Sequence, residues 1–339
     1  MNQPTTISRR RSLGAGLGAA SLLALGDKAF AAGPAQKIKV VMTQGLTGLA
    51  VQEIARNQGY FAEFNVDPEV LLVSDGGKCV AALISGASQL CIWSGFNQLT
   101  PAIERGGKVR ILAGALNLPS LALYSAKPNV RTVSDLQGKS IGIGAPGSVL
   151  HQMMTLLLQK KGVDVSKVLF RNVGSNADIL KAVSAGTVDA GPSDVAIFDQ
   201  QQKFGVHNLS DGMLWKEIPE YTNQGSYASQ TAIAQDRPLL VRTLAAYAKA
   251  YRFISAPGSK DVYVKAWQKV SGATDTQQAV TQWNWIQQFH PYATDLVLSD
   301  ARLNLIQNLN LQFKIQRQVL PIGAIADMSL ARDALKLLK

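Results

Sequence analysis

Gly142-Ile143-Gly144-Ala145-Pro146-Gly147-Ser148-Val149-Leu150-His151 is the stretch on which the fold turns. Ahead of it, Lys139-Ser140-Ile141 opens a short buried strand, and behind it Val149 to Leu158 runs without a helix breaker. Three glycines and a proline between the two make a tight turn, with Ser148 placed as the helix N-cap. A helix start of this kind leaves backbone N–H groups free and points the positive end of the macrodipole above the sheet. That is a seat for a small anion or a polarised carbonyl. An ordinary strand-to-helix turn has the same sequence, so the seat needs support from the chain around it.

Working outward, Val168-Leu169-Phe170-Arg171 reads as the next strand, leading into Asn172-Val173-Gly174-Ser175-Asn176-Ala177-Asp178. Ile179, Leu180 and Val183 share one face of a helix that stops at Gly186. Val188 to Gly191 is a strand end, and Ser193-Asp194 precedes a helical Val195 to Lys203. On the other side lie a strand, Leu121 to Tyr124, and a helical turn, Val133 to Gly138. This makes one α/β lobe over 121–224, with a rim of Pro146 to His151, Gly174-Ser175 and Asp194.

An earlier lobe repeats the pattern. Strands are expected at Ile38–Met42, Val66–Val73, Leu90–Trp93 and Val109–Ala115, with helices at Leu49–Gln58, at Cys79–Ser85 and from Phe96 through Arg105. Strand–loop–helix alternation predicts a parallel sheet with ligand-binding loops beyond its carboxyl ends. Those loops carry Gln44-Gly45, Asp75-Gly76-Gly77, Ser94-Gly95 and Leu116-Asn117. Each alone is a turn former; four on one edge suggest a rim. Near Tyr221 to Ala234 the chain returns to this lobe. Leu240, Leu244, Tyr247, Tyr251 and Ile254 then line one face of a helix, and further helices follow around 262–270, 276–289 and 299–313. Trp267, Trp283 and Trp285 read as packing anchors. The expected division is 33–120 with 225–339 as lobe one and 121–224 as lobe two, joined by a two-crossing hinge that closes a cleft.

The 339 residues leave room for two such lobes, and at 17% charged the chain is globular. The net charge of +11 comes from scattered Lys and Arg, with no basic run outside Arg9-Arg10-Arg11, which argues against nucleic-acid binding. Those arginines head a three-part export signal: Ser8 to Leu13, a weakly apolar Leu13 to Leu25, and the small-x-small site Ala29-Phe30-Ala31. It resembles the twin-arginine type, although Ser12 replaces the expected Phe and leaves a Sec route open. Cleavage near Ala31 leaves a mature charge of +8, and with no Cys after the site a soluble periplasmic product is expected. Cys79 and Cys91 are the only cysteines and are read as two buried thiols, with a bridge left open. His151, His207 and His290 lack paired-ligand spacing, so no metal is expected.

The order of motifs resembles a known family. Gln52-Glu53-Ile54-Ala55 with Gln58-Gly59-Tyr60-Phe61, then Leu83-Ile84-Ser85-Gly86, Asp135 to Gly142, and Ala185-Gly186-Thr187-Val188-Asp189-Ala190 are similar to the periplasmic substrate-binding proteins for sulfonate, nitrate and taurine uptake. The resemblance runs from about 33 to 260 and extends to pyrimidine-precursor-binding relatives. It implies an α/β type II periplasmic binding protein fold and a monomer that hands a small-molecule solute to an ABC transporter permease, with no cofactor and no catalysis. By position it implies ligand contacts from Gln44, Gly45, Gly76, Gly77, Ser94, Gly95, Asn117, Gly147, Ser148, Val149, His151, Gly174 and Asp194. Ser193-Asp194-Val195 departs from the family's aromatic-acid-proline triplet, and Cys91 to Phe96 is bulkier than usual, which leaves the ligand open. Helix starts at Gly77, Phe96 and Ser148 favour a small organic anion. Asp194 would instead accept from an amine or a nitrogenous heterocycle. An enzyme on the same scaffold, like the iron-dependent pyrimidine-forming relatives, is the rival class.

Overall fold

The computed structural model describes residues 34–338. The export signal expected over 1–31 lies outside them.

β1 (Gln36–Thr43) enters the core through Ile38, Val40, Val41 and Met42, all fully buried. α1 (Leu46–Asn57) covers it with Ala50, Val51, Ile54 and Ala55, and the short α2 (Tyr60–Glu63) turns the chain into β2 (Val66–Val73). β2 pairs parallel with β1, setting Val40 opposite Val70. α3 (Gly76–Ile84), β3 (Leu90–Ser94), α4 (Leu99–Glu104) and β4 (Val109–Leu116) follow. β3 is buried along its whole length and runs parallel to β1, as a continuous apolar run covered on both faces should.

The chain then builds a second region. It comprises β5 (Leu121–Ser125), β6 (Ser140–Ile143), α5 (Val149–Lys160), β7 (Leu169–Asn172), α6 (Asn176–Ser184), β8 (Gly191–Asp194), β9 (His207–Met213) and the single turn α7 (Leu214–Glu217). β6 and β7 are parallel. β5 lies antiparallel between β8 and β9. The two small sheets join where Gly142 N donates to Ala190 O at 2.9 Å.

β10 (Gln224–Ser229) returns to the first sheet and completes the order β2-β1-β3-β10-β4. It is antiparallel to both neighbours, which corrects the expectation of a wholly parallel sheet. Gly225 is obligatory there, because a Cβ would stand 2.1 Å from Phe96 Cζ. α8 (Gln230–Ile254) buries the predicted face of Leu240, Leu244, Tyr247, Tyr251 and Ile254. Its axis breaks at Asp236 (φ −123°, ψ 22°), two residues before Pro238, whose ring and missing N–H forbid a regular helix.

The rest is helical: α9 (Lys260–Ser271), α10 (Gln277–Phe289), α11 (Asp300–Gln312), α12 (Ile322–Ile325) and α13 (Ser329–Lys336). These helices reach both regions. α13 packs on α8, and Arg237 pairs with Asp333 at 2.8 Å. α10 packs on the second region, where Thr281 donates to Asp199 at 2.8 Å and Trp285 meets Trp215 edge-on at 5.9 Å. Trp267 and Trp285 are buried, and Trp283 donates from Nε1 to Ser259 Oγ at 2.9 Å.

Other boundaries differ from the sequence reading for local reasons. α3 begins three residues before Cys79, because Asp75 caps it by accepting from Lys78 N at 3.0 Å. α4 begins at Leu99 and not at Phe96, which places Pro101 within its first turn. The strand expected at Val188–Gly191 sits three residues later, as β8, and Val195–Phe204 is a 3₁₀ run. β9 was not foreseen, since His-Asn-Leu-Ser-Asp-Gly-Met carries three poor strand formers, Asn208, Asp211 and Gly212. Cys79, on α3, and Cys91, in β3, are free and fully buried. Burial pushes the Cys91 thiol up, whereas a hydrogen bond from Cys91 draws Cys79 down.

Candidate functional site

The carboxyl ends of the parallel strands of the first sheet face the turns of the second region across a cavity of about 1550 Å³. The first side supplies Thr43 to Gly48 from the β1–α1 turn, Ser74 to Gly76 before α3, and Trp93 to Gly95 at the end of β3. The other supplies Gly144-Ala145 and Ser148 to Leu150 around the start of α5, Gly174 to Ala177 around the start of α6, and Ser193-Asp194 at the end of β8. This is where an open α/β sheet offers its loops to a ligand.

Of the residues singled out from sequence, Gln44, Gly45, Gly76, Ser94, Gly95, Ser148, Val149, Gly174 and Asp194 line this cavity. The other four do not. Gly77 and Gly147 line a separate depression of about 740 Å³. Asn117 is held in the frame: its N–H donates to Pro291 O at 2.7 Å and its carbonyl accepts from Arg302 Nη1 at 2.9 Å. His151 turns back on its own turn, where Nδ1 accepts from Gly147 N at 3.0 Å. Its ring is wedged edge-on between Phe170 and Phe313, at 4.4 and 4.5 Å, and desolvation lowers its pKa.

The seat expected at the start of α5 is thus largely occupied by the protein itself. Ser148 Oγ accepts from His151 N at 3.4 Å, Gly147 N is taken by His151, and Ser148 N donates to Ala145 O at 2.9 Å. Gly147 keeps φ at +76°, a conformation suited to glycine, and its carbonyl accepts from Asn97 Nδ2 at 3.1 Å. Beside that bond, a Cβ on Gly95 would stand 2.9 Å from Val149 Cγ2. Gly95, Gly147 and Val149 therefore form the seam where the two sides of the cleft touch. α3 and α6 are also capped from within, by Asp75 and by a capping box of Ser175 and Asp178. Among the helices of the described residues that start on the two rims, α1, after Gly45, and the short α4, after Gln98, have N-caps without a side-chain acceptor.

Sequence reasoning missed Asn97, Gln98, Asn176 and Gln224 as lining residues. Pro101 was the available signal for the first two. A proline favours the first turn of a helix, so 95–98 had to be a turn projecting into the cleft.

Among the described residues four charged side chains line the cavity: Asp75, Lys181, Lys203 and Asp194. Asp75 accepts from Ser74 Oγ at 2.9 Å and from Lys78 N. Lys181 lies 3.7 Å from Asp178, and Lys203 lies 3.4 Å from Asp275. Asp194 has one side-chain partner, Asn176 Nδ2 at 3.3 Å, and its carbonyl accepts from Tyr124 Oη at 3.2 Å. Burial raises the Asp194 carboxyl above its ordinary 3.8, with the Asn176 bond pulling the other way. Among the described residues no histidine or cysteine lines the cavity.

A family model described as NMT1/THI5 like matches residues 48–258. No curated protein sequence matches the chain. Solved structures share the fold. The periplasmic aliphatic sulphonate binding protein SsuA from Escherichia coli has a TM-score of 0.69 at 15% identity, covering 86% of this chain and 92% of that one. SsuA from Xanthomonas axonopodis pv. citri, bound to MOPS, has 0.69 at 17%, covering 87% and 99%. The periplasmic nitrate-binding protein NrtA from Synechocystis PCC 6803 has 0.66 at 14%, covering 90% and 89%. The architecture is that of the periplasmic binding proteins.

Proposed function

The chain belongs to the NMT1/THI5-like family, and from that membership we propose that it is the solute-binding component of an ABC importer. Residues 33–120 with 225–339 act as one lobe and 121–224 as the other. They capture a small organic solute between them and deliver it to a permease in the inner membrane. The mature protein works as a periplasmic monomer after loss of the export segment near Ala31.

The observation that carries this reading is the roughly 1550 Å³ cavity between strand ends and helix starts, lined mostly by glycines, hydroxyls and amides with four charged side chains among them. Polar atoms of a solute enclosed there need partners, and the cleft supplies backbone N–H groups, amides and hydroxyls at fixed positions. Capture without turnover suits a lining, among the described residues, that has serines but no histidine to act as their base and no cysteine nucleophile. Sulfonates, nitrate and taurine belong in the first set of solutes tested, because periplasmic proteins for sulfonate and nitrate share the fold.

A thermal-shift screen of the full chain against sulfonates, carboxylates, nitrate, amines and pyrimidines tests the reading. A solute at a hundred times its Kd stabilises the folded protein by about 2.7 kcal/mol, a shift of several degrees in Tm. The hit should be recovered chemically unchanged. A library without hits, or product formed from the hit, would sink the proposal.

A further inference from the structure

The depression of about 740 Å³ adjoins the cleft at the seam, and the charges on its wall do not cancel. Arg105, Lys314 and Arg317 line it with a single carboxylate, Glu104, among the described residues. Glu104 is spent on the backbone: its Oε1 accepts from Arg317 N and Gln318 N at 2.9 Å each, and its Oε2 from Arg317 N at 3.1 Å. Among the described residues none of the three cationic side chains has an ion pair or a hydrogen bond. The lysines of the solute cleft differ, since Lys181 and Lys203 each have a carboxylate, at 3.7 and 3.4 Å.

The backbone that carries these cations is fixed. Thr100 Oγ1 on α4 donates to Gln316 Oε1 at 2.9 Å, and Gln316 Nε2 donates to Gln307 Oε1 on α11 at 2.8 Å. The segment after α11 is therefore pinned to α4, and the Glu104 bonds tie it down one residue before Arg105. Three like charges grouped around one concavity repel one another, and a multivalent anion relieves that repulsion. Guanidinium groups take phosphate or carboxylate oxygens in pairs, and the volume is that of a small-molecule site.

We propose that this depression is a second ligand site, for a small oxyanion carrying two or more phosphate or carboxylate groups. Its charged groups line none of the solute cleft, so the site stands or falls independently of the solute-binding reading. Asn97, Gln98, Ala145 and Ser148 line both cavities, which sets an occupant against the residues of the seam.

Calorimetry on the full chain in Tris buffer tests the site with pyrophosphate, citrate and acetate. Pyrophosphate or citrate should bind at least about tenfold more tightly than acetate, and NaCl raised from about 50 to 500 mM should weaken it. The tighter of the two identifies the class, phosphate or carboxylate. Arg105→Gln and Arg317→Gln should each weaken that anion about fivefold, and the double variant about 25-fold. Neither side chain has a partner in the fold, so both variants should keep the wild-type Tm without the anion. Affinity no better than for acetate, or unmoved by both substitutions, overturns the inference while the solute-binding reading stands. Tighter binding of a hexaglutamate peptide than of either small anion also overturns it, and assigns the groove to an acidic protein segment.

Discussion

Asp194 lines the cleft at the end of β8, with Asn176 Nδ2 as its side-chain partner. Its carboxyl group titrates above 3.8 because burial penalises the charge more than the single Asn176 bond relieves it. The sign follows from linkage. A group that holds its proton more tightly when folded lowers stability as pH rises from its unfolded pKa to its folded pKa, and the deficit stays above that. Asp194→Asn should therefore melt higher than the wild type at pH 7 without solute, with the difference vanishing below about pH 3.8. A lower Tm at pH 7 would show that the carboxylate is held by something the folded chain already supplies. His151 teaches the converse lesson. Its sequence position three residues into a helix suggested a ligand contact, yet the ring closes the turn it belongs to.

At the scale of elements, helix starts govern both the frame and the cleft. Capping by Asp75, Ser148 and Ser175 spends N–H groups of three helices on the protein itself and leaves α1 and the short α4 without a side-chain cap. α1 is fixed on its far side by Glu53, which is nearly buried. Burial pushes that carboxyl up, but hydrogen bonds from Lys269 Nζ at 2.5 Å and Asn57 Nδ2 at 2.7 Å more than offset this and hold it below 4.5. Since the folded pKa is depressed, the bond to α9 stabilises fully above pH 4.5 and is lost as pH falls through the folded value. Glu53→Gln should cost about 1 kcal/mol at pH 7 and progressively less as pH is lowered below 4.5, read from urea melts across that range. A cost that does not change with pH would assign the effect to packing.

For the whole molecule, the two sides of the cleft are joined beneath it by a chain of buried amides. Asn310 on α11 donates from Nδ2 to Asn97 O at 2.9 Å and to Thr100 Oγ1 at 2.8 Å, and its Oδ1 accepts from Gln152 Nε2 of α5 at 2.6 Å. Gln152 accepts from Tyr221 Oη at 3.3 Å, and Gln316 extends the chain to Gln307 at 2.8 Å. Asn310, Gln152, Thr100 and Gln307 are fully buried, so each partner lost leaves a desolvated polar group. Asn310→Leu orphans Gln152 Nε2 and the Asn97 carbonyl together. It should destabilise the protein by about 2–4 kcal/mol, checked by equilibrium unfolding in urea. A variant as stable as the parent would mean that α11 does not pin the two sides.

The sequence by itself determined the alternation of strands and helices, the apolar face of α8, the cap at Ser148, and the turns that meet at the cleft. These follow from hydrophobic period, glycine and proline placement, and local hydrogen bonding, all of which act within a few residues. The antiparallel insertion of β10, the displacement of β8, the occupation of the Ser148 turn by His151, and the isolation of Asp194 were decided only by the tertiary structure. Each depends on which distant groups come within hydrogen-bond or van der Waals reach. The charge state of a wall is a sum over neighbours from several elements, and no local pattern carries that sum.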